Sequence, residues 1–345
     1  MMKLSRKSQK KFPNALPKII VVLGPTSSGK SDLAVDIAKF VVKNKRKFGI
    51  SGAEIISADS RQVYKGFDLV SGKVPILYKQ AKRLSTKLSI PPLSRKGGIE
   101  MYYRNIKHYL LDVASPKKTF SVARYQKLGR EVIYQLLKEN KTPIICGGTG
   151  LYIDSLIYDV NFPTVKPNPK LRKQLERMEA GKLFERLSRL DPERAASIDR
   201  FNKRRLIRAL EIVTATGKPV PRLDKISRYD TFSIGINLPR QELKERIYKR
   251  ILERLRRGMI KEIWNLNKKG ISWKRLEDFG LEFKWLSFFL QKKISKQEMI
   301  DGLYRETCAY AKRQMTWFGK NKEIKWIKNK QKALKLVEDF LAVAN

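Results

Sequence analysis

The chain has 345 residues, enough for a sizeable core and for either one large domain with an insertion or two smaller domains. Its 75 lysines and arginines against 33 acids give a formal charge of +42, which favours a polyanionic partner, nucleic acid first, over the blander reading of solvated lysine faces. No apolar run approaches membrane-spanning length, two distant cysteines make neither a disulfide framework nor a zinc site, and one histidine, His108, excludes a histidine-rich metal centre; a soluble, cytoplasmic protein is expected.

Residues 1–18 carry Lys3, Arg6, Lys7, Lys10, Lys11 and Lys18 without an acid and read as a basic tail; an organellar presequence is the competing reading. Ile19 to Leu23 is an apolar run typical of a buried strand, and Asp32 to Ala38 opens a helix expected to run from Lys30 to about Val42. Between them lies Gly24-Pro25-Thr26-Ser27-Ser28-Gly29-Lys30-Ser31, a G-x-x-x-x-G-K-[ST] phosphate loop in its required strand-to-helix setting. Glycines let the backbone N–H groups curl around a phosphate, and the helix N-terminus adds a favourable dipole. Lys30 is placed for the outer phosphate and Ser31 for a magnesium ion. ATP hydrolysis, phosphoryl transfer and departure of a diphosphate can all use such a loop.

Ala53 to Ser57 reads as a second buried strand, and Asp59 follows it at the strand end where ligands of open α/β sheets sit. It is a magnesium ligand, a helix N-cap or a general base, the cap being the commonest role for such a residue. Residues 74–106 are broken by Pro75, Pro91-Pro92 and Gly97-Gly98 and read as an inserted basic surface segment. His108 to Val113 resumes a strand pattern, Phe120 opens a helix to about Glu139, and Pro143 to Cys146 is another buried strand. That strand ends in Gly147-Gly148-Thr149-Gly150, where many NTPases place a magnesium-holding aspartate; the glycines suggest close backbone approach by a ligand.

From about Asn161 to Asp230 helical signals replace strands: Leu171 to Met178, Leu183 to Leu190, and Asn202 to Thr216 ended by Gly217. The last carries Lys203-Arg204-Arg205-Leu206-Ile207-Arg208, a phosphate-backbone contact surface or a solvated face. Thr231 to Ile236 returns to strand. A sheet interrupted and resumed implies an insertion domain, here 159–228 within a core of 19–158 and 229–345. The remainder reads as helical, Gln241 to Arg257 and Ser295 to Phe318 included; the cations and aromatics of Ala311 to Phe318 fit either single-stranded RNA or the core. The fold class is α/β: a P-loop NTPase-like parallel sheet flanked by helices, with an all-helical insertion.

Six stretches, in order, resemble the tRNA dimethylallyltransferase (tRNA isopentenyltransferase) family: the phosphate loop, Ile56 to Gly66, Gly147 to Tyr152, Arg205 to Glu211, Arg246 to Ile251, and Lys312 to Phe318. Departures are Val70-Ser71-Gly72-Lys73, His108-Tyr109 in place of paired histidines, and Lys284 where arginine is frequent. Lacking the C-terminal zinc finger of eukaryotic members, the chain is more similar to bacterial ones.

The resemblance implies transfer of a dimethylallyl group from dimethylallyl diphosphate to the exocyclic amino group of the adenine just 3′ of the anticodon in tRNA. Gly24, Pro25, Thr26, Ser27, Ser28, Gly29, Lys30 and Ser31, a nucleotide-type (ATP-binding) loop, then hold the diphosphate, with Mg2+ as cofactor on Ser31. Asp59 is implied as the general base, Thr26 lies beside the reacting centre, and Arg246 and Arg250 add positive charge. Implied tRNA contacts are Asp59, Ser60, Arg61 and Gln62, then Thr149 and Arg172, then Arg204, Arg205, Leu206, Ile207 and Arg208, the helical insertion being the tRNA-binding domain of a protein expected to be a monomer. A small-metabolite P-loop kinase and an isopentenyltransferase acting on free adenine nucleotides are the competing enzymes.

Overall fold

The computed structural model describes residues 16–80, 99–221 and 225–342, so most of the basic tail and the middle of the basic insert lie outside the described residues. Its centre is strand β1 (Lys18–Leu23), five of whose six residues are buried, as expected for a parallel strand covered on both faces. Parallel neighbours flank it, β6 (Lys141–Gly147) and β7 (Asp230–Ile236), with Val22 opposite both Cys146 and Ile234. Outward from β6 come β2 (Gly52–Ser57) and β5 (Ile106–Tyr109), both parallel.

Two features depart from the sequence reading. The segment read as a basic insert contributes an antiparallel pair at the sheet edge, β3 (Leu77–Gln80) and β4 (Ile99–Tyr103), and the supposedly all-helical C-terminal part contributes β8 (Lys325–Ile327), parallel to β7. The sheet thus has eight strands in the order β3-β4-β5-β2-β6-β1-β7-β8. β3 is exposed along its length and β8 has three residues, so neither shows the apolar run that marks a buried strand. The strand expected over His108 to Val113 stops at Tyr109, because Leu110 and Asp112 take positive φ (62° and 52°). There the chain turns to bond the 62–65 segment, Asp112 N–H to Gln62 O and Ala114 N–H to Val63 O.

Period-2 alternation along the strands divides the core between the two faces. Ile20, Val22, Ile55 and Ile144 meet Leu33, Ile37 and Val41 of helix α1 (Lys30–Lys43) together with Ala333 and Val337 near the C-terminus. Ile19, Val21, Ile56 and Ile145 face the other way, toward α2 (Val122–Lys138) and α3 (Gly150–Ile157). With that face also pack α8 (Arg240–Arg256), α9 (Met259–Lys268), α10 (Trp273–Asp278), α11 (Leu281–Leu290) and α12 (Lys296–Phe318). α12 begins with a complete capping box, Ser295 to Glu298. After β8 the chain closes with α13 (Lys330–Ala342), which supplies Ala333 and Val337. No helix among the described residues is long and apolar enough to cross a membrane.

Contacts divide the chain into one unit of Met1–Tyr158 with Ser227–Asn345 and a second of Asp159–Ile226. The second has its own core of Leu175, Leu183, Leu187, Leu206 and Leu210. These come from α4 (Pro169–Glu176), α5 (Ala180–Leu190), α6 (Pro192–Ser197) and α7 (Lys203–Thr216). Asn168, Asp191 and Asn202 cap helix starts, and Gly217, left-handed at φ 65°, ends α7. The short α6 had escaped the sequence reading.

Candidate active site

In the larger unit a cavity of about 540 Å3 opens where β1, β2 and β6 end, the position that parallel sheets reserve for ligands. Its floor is the phosphate loop, with Thr26, Ser27, Gly29, Lys30 and Ser31 on the surface. Gly29 takes φ 88°, which a side chain would strain, and it delivers the chain into the N-terminus of α1. Gly24, Pro25 and Ser28 do not line the cavity; Ser28 is buried, and its hydroxyl has no partner among the described residues.

Lys30 is the cation of the floor. Its ammonium donates to Pro25 O at 3.2 Å, and burial holds its pKa below the ordinary lysine value; Cys146 and Asp59 act against that shift, and Arg250 adds to it. Arg250 reaches in from α8, donating to Gly72 O (3.0 Å) and to the Thr26 hydroxyl (3.4 Å). Burial, then the neighbouring Arg254, pushes its pKa down to about 10. Two desolvated cations beside a phosphate loop form a site complementary to an anion. Gly72 is needed there on two counts: φ is 64°, and a Cβ would lie 2.1 Å from Arg250 Nη2. Arg246 also lines the cavity, half-exposed and paired with Glu242 at 2.7 Å.

The loop before Gly72 is clamped from α8 and α9. Glu262 accepts from the amides of Asp68, Leu69 and Val70 (3.0, 2.7 and 3.1 Å), while buried Arg254 donates to the carbonyls of Leu69 and Val70 and pairs with Glu282 at 3.1 Å. This fixes the carbonyl on which Arg250 rests.

Asp59 faces the phosphate loop across the same cavity. One oxygen, Oδ1, accepts from the amides of Arg61 (2.8 Å) and Gln62 (3.3 Å), a cap-like turn; Oδ2 takes no hydrogen bond from the described residues. One carboxylate therefore both fixes its own loop and keeps an acceptor in reserve. Arg61 and Gln62 line the cavity too, Arg61 anchored to Phe279 O at 2.6 Å. The Thr149 hydroxyl accepts from Ser60 N–H at 3.1 Å, so those two residues are tied to one another at the site's edge.

The third wall is α12, and here sequence reasoning missed functional residues. Thr307, Tyr310 and Gln314, spaced i, i+3, i+7, share the face that lines the cavity. Gln314 is buried and bridges the site: Oε1 accepts from Thr26 N–H and Nε2 donates to Gly148 O, both at 2.8 Å. Burial, then Asp59, pushes the pKa of Tyr310 up to about 12. Polar residues recurring at that spacing in an otherwise apolar helix face were the available signal.

The glycine cluster 147–150 requires a correction. A Cβ on Gly147 would lie 2.1 Å from Ala58 O, on Gly148 2.2 Å from Gln314 Nε2, and on Gly150 2.2 Å from the Trp317 ring. These glycines admit the protein's own backbone and α12, not a ligand. By the same packing Phe318 and Trp317 belong to the core around α12 rather than to an RNA-stacking surface.

In the helical unit the tRNA-contact stretch is split by burial. Leu206 (0% exposed) and Ile207 (6%) turn their side chains into the unit's core, while Arg204 and Arg205 are exposed. Arg172 and Arg208 are committed to Glu211. Arg172 donates twice to its carboxylate (2.7 and 2.8 Å), Arg208 once (3.4 Å), and Asn168 N–H once (2.9 Å). Burial works to raise the pKa of Glu211, but the bonds from Arg172 and Asn168 outweigh it and hold the carboxyl below the usual range. The sign then follows: this contribution is complete above the unfolded glutamate value, about 4.3, and is lost as pH falls through the lower folded value. Glu211→Gln should cost about 1–3 kcal/mol near neutrality and flatten the acid limb of a chemical-denaturation series run from pH 7 to pH 3. An unchanged limb would mean the two arginines stand without it.

The donor set suits a magnesium ion that shares its ligands with a diphosphate. Ser31 lines the cavity floor, Asp32 beside it is engaged by Tyr103 and Arg104, and among the described residues no group of three or more His, Cys, Asp or Glu forms a metal cage. Magnesium commonly needs only one or two protein oxygens beside substrate phosphates and water.

Comparison with known proteins agrees with this geometry. The family model for IPP transferase matches residues 99–322. Among curated relatives, a tRNA dimethylallyltransferase of Acetivibrio thermocellus is 36% identical over 341 residues, covering 95% of this chain and 98% of its own. A tRNA dimethylallyltransferase 2 of Treponema denticola is 37% identical over 304 residues, covering 87% of this chain and 90% of its own. Among solved structures, the tRNA isopentenylpyrophosphate transferase of Bacillus halodurans superposes with a TM-score of 0.63 at 29% identity, covering 94% of this chain and 95% of its own.

Proposed function

The chain belongs to the IPP transferase family, and from that premise we propose that it transfers a dimethylallyl group from dimethylallyl diphosphate to the exocyclic amino group of the adenine 3′ of the anticodon in tRNA. The observation that carries the reading is the single cavity in which Asp59, with one free oxygen, faces Lys30 and Arg250 at a phosphate loop. A volume of about 540 Å3 lies within the 300–1,000 Å3 usual for small-molecule sites, and the target base sits in a loop where unstacking is cheap.

The adenine amino lone pair is delocalised into the ring, so the nitrogen attacks well only as it loses a proton. Asp59 Oδ2 takes that proton while the N–C bond forms and the allylic C–O bond breaks; positioned acid–base help of this kind contributes roughly 100- to 10,000-fold. The bonding pair leaves with the diphosphate, whose growing charge falls on the loop amides, Lys30 and Arg250. Magnesium, when bound through Ser31, would add charge stabilisation to the leaving group. Thr26, held by Gln314 through its amide and by Arg250 through its hydroxyl, keeps the loop in register with the acceptor. The reading takes the enzyme to be a cytoplasmic monomer, with Arg204 and Arg205 among its phosphate contacts.

The test is incubation with labelled dimethylallyl diphosphate and either undermodified tRNA or AMP. Label should enter tRNA; label in AMP alone would make the chain a free-nucleotide prenyltransferase, and label in neither would sink the reading. Binding should also respond steeply to salt. With about six phosphates contacted, log K should fall with log salt at a slope near −4 for single-stranded regions and more steeply for a stem. A flat response in a filter-binding titration from 50 to 300 mM salt would remove the electrostatic RNA site.

A further inference from the structure

Helices α8 and α12 serve two cavities, one on each side. Residues 246, 249, 250 and 253 of α8 and 307, 310 and 314 of α12 line the reaction cavity. Their other faces enclose a second cavity of about 450 Å3 behind the phosphate loop, with Pro25, Leu243, Ile247 and Met315 in its wall. Pro25 and Met315 of the second cavity adjoin in sequence Thr26 and Gln314 of the first. The second cavity is apolar apart from Asn237, Arg240, Lys244 and Lys312, and no acidic side chain lines it. None of the three cations makes an ion pair among the described residues, although Arg246 on the opposite side of α8 does. An apolar chamber whose only charged lining groups are cations is complementary to a chain that is hydrocarbon along its length and anionic at one end.

We propose that this cavity is a second small-molecule site, separate from the reaction cavity, that binds an aliphatic anion: an alkyl chain in contact with Leu243, Ile247 and Met315, and a carboxylate or phosphate head between Arg240, Lys244 and Lys312. Chain contacts then supply most of the affinity and the cations select the head. The proposal does not depend on the prenyl-transfer reading, because it concerns binding alone.

Isothermal titration of the full chain with decanoate tests it, with decyl phosphate, octanoate and 1-decanol as comparison ligands. One saturable site is expected for decanoate or decyl phosphate, and whichever binds more tightly identifies the head. Octanoate, shorter by two methylenes, should bind roughly tenfold more weakly, from about 0.8 kcal/mol per buried methylene. Lys244→Glu and Leu243→Trp should each weaken decanoate by at least about tenfold, and saturating inorganic diphosphate at the phosphate loop should leave its affinity unchanged. Should Leu243→Trp fail to fold, the surface charge reversal Lys244→Glu still decides. The proposal falls if neither anion saturates, if 1-decanol binds as tightly as decanoate, if Lys244→Glu binds like the wild type, or if diphosphate displaces decanoate, since the cavity would then belong to the donor's own site.

Discussion

Asp59→Asn should lower single-turnover prenyl transfer by at least about 100-fold while leaving the fold and both substrates' binding in place. The observed cap and the proposed base role of this carboxylate use different oxygens. Oδ1 holds the amides of Arg61 and Gln62, and the asparagine carbonyl oxygen accepts those bonds about as well, so the loss of stability should stay under about 1 kcal/mol. What asparagine cannot do is take the proton from the adenine amine, and that loss appears only in the transition state. A fall in kcat with unchanged affinities for tRNA and dimethylallyl diphosphate therefore marks a base. Collapse of diphosphate affinity would instead make Asp59 a magnesium ligand. Transfer at the wild-type rate would mean the proton leaves to water or to a diphosphate oxygen.

Lys30→Met should separate stability from activity with opposite signs. Lys30 is half-buried and its pKa is held low by desolvation, so folding carries a cost of desolvated charge that the diphosphate would offset. Methionine fills similar space without charge, so thermal stability without ligand should be unchanged or higher. Transfer should drop by about 100- to 1,000-fold, the usual consequence of removing one preorganised group from a site of developing charge. The pH dependence has a definite sign: between the lowered folded pKa and the unfolded value near 10.4 the unfolded chain binds more protons, so wild-type stability gains from this group as pH rises there. The variant should lack that gain. A clear drop in melting temperature for Lys30→Met would show that the bond to Pro25 O outweighs desolvation, and near-normal transfer would remove Lys30 from the leaving-group site.

The phosphate loop, the central strands and the long capped helices were legible from the chain's residues, because each rests on local chemistry. Five buried residues in β1, the glycine-bounded loop and the Asn202 and Gly217 caps of α7 are readable without any partner. Asp59 was legible in the same way, since a polar residue just beyond a buried strand must emerge at the ligand edge. Tertiary structure alone decided what depends on residues distant in the chain. β3 and β8 are strands only because neighbours pair with them; their own residues are too exposed or too few to announce it. Leu206 and Ile207 share a helix with exposed arginines, and only the packing of α4 and α5 against α7 showed which face turned inward. The glycines at 147–150 read alike for a ligand or for a helix, until α12 placed Gln314 and Trp317 on them across more than 160 residues. Hydrogen bonds and close packing at that separation leave no mark in local periodicity, which is why Gln314, the residue joining the phosphate loop to the strand end beside Asp59, emerged only from the folded chain.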